Sequence, residues 1–111
     1  MRYWRDREEL KSRVKEWATR LDVTVRGLYV RPMRNKWASC STAGTLSLND
    51  ELLGMARDLV DYVIVHELLH LRVPNHGKLW KSLMRAYLGD YERQESRLRQ
   101  REAKSMTRRF V

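Results

Sequence analysis

Apolar residues recur at helical spacing near the start of the chain. Leu10, Val14, Trp17 and Leu21 follow one another at intervals of three or four positions, with charged residues between them. On a helix of 3.6 residues per turn these positions share one face, which is typical of an amphipathic helix that packs on a core. The pattern predicts a helix from about residue 6 to residue 20 that covers a sheet.

Three strand patterns follow this helix. The segment VTVRGLYV (23–30) is rich in β-branched residues, and it is followed by Pro32, which cannot donate a ladder hydrogen bond. The segments RNKWASCS (34–41) and TLSLN (45–49) lie on either side of an Ala-Gly turn. We therefore predict a strand that ends near Val30 and then a hairpin of two further strands.

The second half of the chain is patterned for helices. A short helical turn at 51–53 is expected after a cap at Asn49 or Asp50, and a helix that is apolar on most of its circumference is predicted from about residue 56 to residue 72. Pro74 cannot continue this helix. Because so much of its surface is apolar, we expect it to be the buried central element.

Two more helices complete the predicted fold. Apolar residues recur at helical spacing from Leu79 to Leu88, and the segment 91–104 is a charged helix that we expect to dock only weakly. This order of elements predicts an α+β fold with an N-terminal helix, a three-stranded β-sheet, a buried central helix and two C-terminal helices. A chain of 111 residues is expected to form a single domain, 1–111.

The charge of the chain is positive and unevenly distributed. The formal net charge is +9, and residues 23–49 contain four basic residues and no acidic one. This balance favours polyanions or acidic partners, but no nucleic-acid reading motif accompanies it, so nucleic-acid binding is left open and is not required. The chain contains neither an apolar run of about 18 residues nor a signal peptide. With the single cysteine, Cys40, this favours a soluble, cytoplasmic protein without a membrane span.

All three histidines lie in one short segment, in the pattern H-E-x-x-H-x5-H. His66 and His70 share a face of the predicted central helix, and Glu67 projects about 100° round the helix from His66. His76 follows the break at Pro74, where the chain can turn back to the same ion. Because a catalytic zinc needs three protein ligands and one open position, the pattern predicts one Zn²⁺ ion on the three histidines.

A plainer interpretation makes the histidines core residues that hydrogen-bond to backbone carbonyls. This interpretation accounts for a single histidine more readily than for three histidines with a glutamate between the first two. The metal interpretation predicts peptide-bond hydrolysis, in which zinc lowers the pKa of a bound water from 15.7 to about 7 and Glu67 takes the proton of that water and passes it to the leaving amine. Glu67 is thus the predicted catalytic residue.

Two segments of the chain resemble the YgjP-like metallopeptidase domain. RNKWASCSTAGTLSLNDELL (34–53) resembles its R-W-G-S-C-S and L-N patterns, with Ala38 in place of the glycine and Arg34 displaced. DYVIVHELLHLRVPNHGKLW (61–80) matches its Y-V-x-x-H-E-L-x-H pattern and its downstream N-H-G. The chain is also similar to the minimal gluzincin-like peptidases called minigluzincins and, more distantly, to SprT and WLM domains.

This resemblance implies a three-stranded sheet over an active-site helix. It also implies zinc on His66, His70 and His76, with Glu67 as the base.

The strand formed by Trp37, Ala38, Ser39 and Cys40 is a candidate substrate-binding edge. An extended peptide can add to such an edge as one more strand, and the alternative is an ordinary half-buried strand with Trp37 in the core. Cys40 is also ambiguous, because a thiolate on the zinc would close the open position and make the site structural or latent. We prefer a small buried hydrophobe for Cys40.

Other side chains are weaker candidates for the site. The possible substitutes for His76 as third ligand are Glu92, Glu95 and Glu102, whose basic surroundings favour salt bridges instead. Candidates to steady an oxyanion are Arg72, Arg85 and Tyr87, for which packing or solvent contact is the alternative.

The basic C-terminal segment, about 91–111, indicates regulation. A peptidase of this size has no room for a separate inhibitory domain, so this segment could fold over the cleft of its own molecule or of a neighbour. We hypothesise a latent zymogen, as a monomer or a tail-exchanged dimer, that acts on protein or peptide substrates. The rival classes are a nucleic-acid-associated protease of the SprT or WLM kind and a zinc-stabilised module without catalysis.

Overall fold

Four helices and a three-stranded sheet make up the part of the chain that the structure, a computed structural model, describes, which is residues 3–105. The helices are α1 (Arg7–Leu21), α2 (Arg57–Leu69), α3 (Lys78–Leu88) and α4 (Tyr91–Ser105), the strands are β1 (Gly27–Arg31), β2 (Ala38–Cys40) and β3 (Thr45–Asn49), and a 3₁₀ helix spans Asp50–Gly54. The predicted α+β class and the order of its elements are confirmed.

α1 forms where the apolar spacing predicts it. The side chain of Asp6 caps the helix by accepting a hydrogen bond from the backbone N–H of Glu9 at 2.9 Å. The four apolar residues of the predicted face are all buried. The periodicity of the sequence therefore identifies both the helix and the side that packs on the core.

β1 begins later than the pattern VTVRGLYV suggests. Asp22 adopts a left-handed conformation with φ of 57°, and its N–H and that of Val23 bond to carbonyls of the last turn of α1. These bonds close the C-terminus of the helix, so residues 22–23 serve as a helix cap rather than as a strand. The strand itself starts at Gly27 and ends at Arg31.

β3 is the central strand of the sheet. It pairs in parallel with β1 and antiparallel with β2, which gives the strand order β1-β3-β2 and confirms the predicted hairpin. The register places Leu28 opposite Leu46 and Ala38 opposite Leu48. β2 therefore lies at an edge of the sheet, and it also contacts α2.

A fully buried asparagine ties the loop before β2 to the end of β3. The amide nitrogen of Asn49 donates to the carbonyls of Met33 at 2.9 Å and Lys36 at 3.0 Å, and its amide oxygen accepts from the N–H of Glu51 at 3.0 Å. Asn49 is thus the predicted cap of the short helical turn. It also holds Lys36, and with it the start of β2, in place.

α2 is the buried centre of the fold, as its composition predicts. It contacts α1, α3, α4 and β2, and ten of its residues are buried, including His66 and Glu67. The regular helix ends at Leu69 rather than at residue 72. Over residues 70–72 the hydrogen bonds span three residues, which is the tighter geometry common at helix ends, and Pro74 prevents any continuation.

α4 packs on the core through two buried side chains, so it is better anchored than the weak docking that its charged sequence suggests. Tyr91 and Leu98 are buried against the core. On the surface, Asp58 of α2 accepts hydrogen bonds from Arg97 at 2.8 Å and Gln94 at 2.9 Å. Two buried side chains and a few polar contacts, which also include Tyr62 with Glu95 and Arg85 with Glu92, attach a helix that is otherwise charged. The remainder of the expected regulatory segment, 106–111, lies outside the described residues.

None of the helices within residues 3–105 combines the length and the apolar character that crossing a bilayer requires.

Asp61 joins α1 to α2. It accepts two hydrogen bonds from the guanidinium of Arg13, at 2.9 and 2.8 Å, and a third from Nε1 of Trp17 at 3.0 Å. Only 14% of the Asp61 side chain is exposed, so water cannot readily replace these partners. This ion pair also raises the pKa of Arg13. Its contribution to stability can be tested directly.

We expect Asp61→Ala to lower the free energy of unfolding by about 2–3 kcal/mol, because it removes two hydrogen bonds of the half-buried guanidinium of Arg13 and leaves the buried indole N–H of Trp17 without an acceptor. Urea denaturation measures this loss. The matched control is Glu16→Ala, which removes the exposed ion pair of the same arginine and should change stability by less than about 0.5 kcal/mol. Equal losses in the two variants would contradict the role given to Asp61.

Candidate metal centre

α2 presents two of the predicted ligands and the predicted base. His66 and Glu67 lie in its last turns with only 5% and 4% of their surfaces exposed, and His70 follows as the helix cap, half-buried. Because the helix is held on several sides, the directions of these side chains are set by the core. The spacing seen in the sequence thus becomes a fixed arrangement.

The third histidine arrives by the predicted reversal of the chain. After the break at Pro74, Asn75 accepts a hydrogen bond from the N–H of Gly77 at 3.2 Å, and Gly77 begins α3. This turn brings His76 back towards α2, where its Nε2 lies 3.0 Å from Nε2 of His70.

The three histidines fit a zinc ion. Each offers one ring nitrogen, and these nitrogens all lie within 4.8 Å of one another. Zinc binds imidazole nitrogens at about 2.0–2.1 Å, so tetrahedral ligands are about 3.3 Å apart. Three nitrogen donors leave a fourth position open. Within residues 3–102, the three candidate substitutes for His76, which are Glu92, Glu95 and Glu102, do not join this cluster of histidine nitrogens.

Burial keeps His66 and His70 in the neutral form that binds metals. It lowers the pKa of His66 to about 3, with smaller contributions from His70 and His76. Burial also lowers the pKa of His70, as does His76, while the backbone carbonyls of Val73 and Pro74 act in the opposite direction. A carbonyl beside a histidine ring is a common means of orienting a metal ligand.

Glu67 is buried in α2, close enough to Cys40 of β2 for its charge to act on the thiol. Burial raises the pKa of its carboxyl to about 8, and the positive charge of Lys36, just before β2, opposes the shift. A carboxyl whose pKa lies near neutral pH suits a general base better than an exposed glutamate does.

The predicted substrate-binding strand is only partly accessible. Trp37 and Ala38 are buried in the core, whereas Ser39 and Cys40 are half-buried. The alternative of a core tryptophan is thus what the structure shows. Any contact of Trp37 and Ala38 with a substrate has to involve the main chain of this edge strand rather than their side chains.

Cys40 does not join the group of metal-binding nitrogens. Its sulfur donates weakly to the carbonyl of Ser41 at 3.7 Å. Burial, helped by the charge of Glu67, raises the pKa of its thiol to about 11, so the protonated form dominates at neutral pH. These facts favour the small buried hydrophobe over the zinc ligand.

A cavity of about 780 Å³ opens beside His66 and His76, between α2, α3 and α4. Of the three candidates to steady an oxyanion, only Arg85 lines it, where it pairs with Glu92. Arg72 donates instead to the carbonyl of Leu21 at 2.9 Å, and Tyr87 faces a different cavity.

Two aromatic residues beside the histidines were not singled out by the sequence. Tyr62 lies 5.8 Å from His66 between ring centroids, and Trp80 lies 4.4 Å from His76. Each is four residues from the histidine that it contacts, on the outer side of the motif. Helical spacing was therefore a usable signal for Tyr62, which shares α2 with His66, but not for Trp80, because His76 lies in the turn before α3.

The fold and the site together define the class of the metallopeptidases. The sequence pattern of the YgjP-like metallopeptidase domain matches residues 3–101. The chain belongs to this family.

Proteins of archaea are similar to this chain. The uncharacterized protein MJ0123 of Methanocaldococcus jannaschii is 29% identical over 99 residues, which are 85% of this chain and 90% of that protein. The crystal structure of the metallopeptidase zymogen jannalysin, from the same organism, superposes with a TM-score of 0.74 at 28% identity, over 83% of this chain and 95% of jannalysin. The crystal structure of the metallopeptidase zymogen abylysin, from Pyrococcus abyssi, superposes with a TM-score of 0.72 at 21% identity, over 92% of this chain and 99% of abylysin. This similarity shows a shared fold.

We expect Cys40→Ser to leave zinc affinity within about twofold of the unsubstituted protein, because the thiol is protonated and lies outside the group of ligands. Competition with a chromogenic chelator measures the affinity. A loss of tenfold or more would show that the sulfur binds the metal.

Proposed function

We propose that this protein is a zinc-dependent metallopeptidase that holds one zinc ion on His66, His70 and His76 and uses Glu67 as the general base. The observation that carries this proposal is the meeting of three histidine nitrogens within 4.8 Å, next to a buried glutamate and a cavity. Membership of a metallopeptidase family supports it.

The residues would divide the work of hydrolysis between them. A zinc ion on three imidazoles, when bound, lowers the pKa of a water and polarises a carbonyl oxygen at its open position. Glu67 accepts a proton from the attacking water as the new C–O bond forms, and it gives the proton to the amide nitrogen as the C–N bond breaks. The positive charge of Lys36 favours the carboxylate form of Glu67, which is the form that accepts the proton of the water.

The substrate we propose is a protein or peptide in extended form. β2 is an edge strand that contacts α2, so an extended chain laid beside it would pass the site while pairing through main-chain hydrogen bonds. Such pairing places little demand on the sequence of the substrate. Side chains on one side of the cleaved bond would enter the cavity beside His76.

We also propose that the C-terminal segment, about 91–111, keeps the enzyme latent. α4 forms a wall of the cavity with Glu92, Glu95 and Glu102, so it limits the room beside the histidines. Jannalysin and abylysin are both described as zymogens. The same docking contacts would form if two chains exchanged this segment, so a monomer and a tail-exchanged dimer are equivalent for this proposal.

A nucleic-acid-associated peptidase is the second candidate. A groove of about 320 Å³ is lined by residues 31–36, among them Arg31, Arg34 and Lys36, and the net charge is +9. Phosphate contacts would make DNA binding fall steeply as salt is raised. Binding that persists at physiological ionic strength would favour this candidate, and its absence would favour the peptidase alone.

Glu67→Gln should keep zinc and lose turnover by about 10²–10⁴-fold, because the amide cannot accept the proton of the water. His76→Ala should lose both zinc and turnover. Metal analysis of the purified proteins and cleavage of an unstructured protein substrate measure the two effects.

Glu8→Ala, an exposed acid on α1, is the control for both substitutions. Normal cleavage by Glu67→Gln would show that this residue is not the base. Zinc binding without cleavage by any form, including forms with altered C-termini, would instead indicate a zinc-stabilised module.

Loosening α4 should raise activity. Arg97→Ala removes an exposed contact with Asp58, and a loss of about 1 kcal/mol in docking would raise the open population about fivefold. A chain that ends at Ser105 tests the remaining segment while it keeps α4 and its buried Leu98. The measurement is the initial rate at which Arg97→Ala, the shortened chain and the unsubstituted protein cleave the unstructured protein substrate.

Arg93→Ala is the matched control, since it removes the same charge from an exposed position on the same helix. If neither Arg97→Ala nor the shortened chain were more active than this control, latency through the C-terminal segment would be contradicted.

A further inference from the structure

The three histidines are held by unequal means. His66 and His70 belong to α2 and its cap, so the packed core sets their directions. His76 stands in the turn before α3, and its side chain is exposed. The hydrogen bond between Asn75 and the N–H of Gly77 shapes the backbone of this turn and does not orient the imidazole of His76. A ligand on such a turn needs a neighbour that holds its ring.

Trp80 is placed to be that neighbour. It lies in the first turn of α3 with 3% of its surface exposed. Its ring centroid is 4.4 Å from that of His76, 5.1 Å from that of His66 and 6.1 Å from that of His70. It meets His66 nearly edge-on, at 82°, and lies nearly parallel to His70, at 20°. One buried indole therefore lies close to all three imidazoles, and nearest to His76, to whose ring it is tilted by 43°.

The indole of Trp80 also packs against a second buried ring, that of Tyr91. Tyr91, the buried first residue of α4, meets the ring of Trp80 edge-on at a centroid distance of 6.2 Å. Both rings are buried, and tightly packed rings in a core have few alternative rotamers. Trp80 is thus a rigid surface against which the exposed His76 can pack.

Hydrogen bonding does not explain the presence of an indole here. Nε1 of Trp80 is buried and has no hydrogen-bond partner among the described residues. A buried donor without an acceptor destabilises a protein. What the side chain contributes at this position is its flat aromatic face, which a phenyl ring also has.

We propose that Trp80 is a positioning residue, which holds the imidazole of His76 ready for the metal by packing its buried ring against that imidazole. This inference rests on the proposed zinc site. It predicts that the ring of residue 80 governs metal affinity, although Trp80 itself donates no ligand atom. Residues that orient metal ligands typically change metal affinity by about 10–100-fold when they are substituted.

The test is the zinc affinity of Trp80→Leu and Trp80→Phe in the full chain. Trp80→Leu removes the aromatic face, and we expect about a tenfold or greater loss of affinity in chelator competition. Trp80→Phe keeps a face and removes the unpaired N–H, and we expect it to bind zinc within about threefold of the unsubstituted protein. Absorption of the Co²⁺ form shows whether all three histidines still bind.

Trp17→Leu is the matched control. Trp17 is equally buried, but it lies on α1, which does not line the cavity beside the histidines. This variant should lose stability in urea denaturation and keep its zinc affinity. A loss of affinity common to both leucine variants would make the effect one of general stability and overturn the proposal.

The unsubstituted protein provides a test that does not depend on a variant folding. Because the ring centroid of Trp80 lies 4.4 Å from that of His76, the ring current of the indole should shift the ring protons of His76 away from the values of a free imidazole in the NMR spectrum of the metal-free protein. Shifts typical of a free imidazole would overturn the proposal, as would unchanged zinc affinity in Trp80→Leu. If the unsubstituted protein bound no zinc, the proposed function would fail first, and the two failures are thereby distinguished.

Discussion

The structure depends on burying a helix that carries polar side chains. α2 packs on β2 and on the three other helices, and His66 and Glu67 lie among its buried residues. An apolar environment disfavours charge, so the pKa of His66 falls to about 3 while that of Glu67 rises to about 8. The packing that closes the core therefore also keeps His66 neutral and gives Glu67 a pKa near neutral pH.

The rest of the fold supplies what one helix cannot. Two ligands one turn apart leave a metal incompletely bound, and the third has to come from another part of the chain. The break at Pro74 and the turn at Asn75 bring His76 back, and Trp80 then provides a buried surface behind it. The site therefore combines two histidines of a packed helix with one histidine of a turn, and the ring of Trp80 packs beside them.

α4 has two roles that are in tension. It contributes Tyr91 and Leu98 to the core, yet most of its surface is charged and its polar contact with Asp58 is exposed. Elements attached by few buried contacts are those that open most readily. A helix attached in this way can form a wall of the cavity beside the histidines and still be displaced at modest cost.

The sequence by itself determined a large part of this protein. Periodicity placed α1 and the face that it buries, and the apolar circumference of α2 predicted its burial. The spacing of His66 and His70 predicted that their imidazoles lie together, because helical geometry converts sequence distance directly into direction. The start of β1 was misplaced because Asp22 and Val23 are used to cap α1. That choice depends on competition between local hydrogen bonds, which alternation does not reveal.

Only the tertiary structure decided the contacts between distant segments. The parallel pairing of β1 with β3, the burial of Trp37, and the docking of α4 through Tyr91 and Leu98 join residues far apart in the chain. The same is true of the meeting of Trp80 with His66 and of Cys40 lying outside the group of ligands. Such contacts follow from how helices and strands pack on one another, and packing is a property of the whole core rather than of any segment.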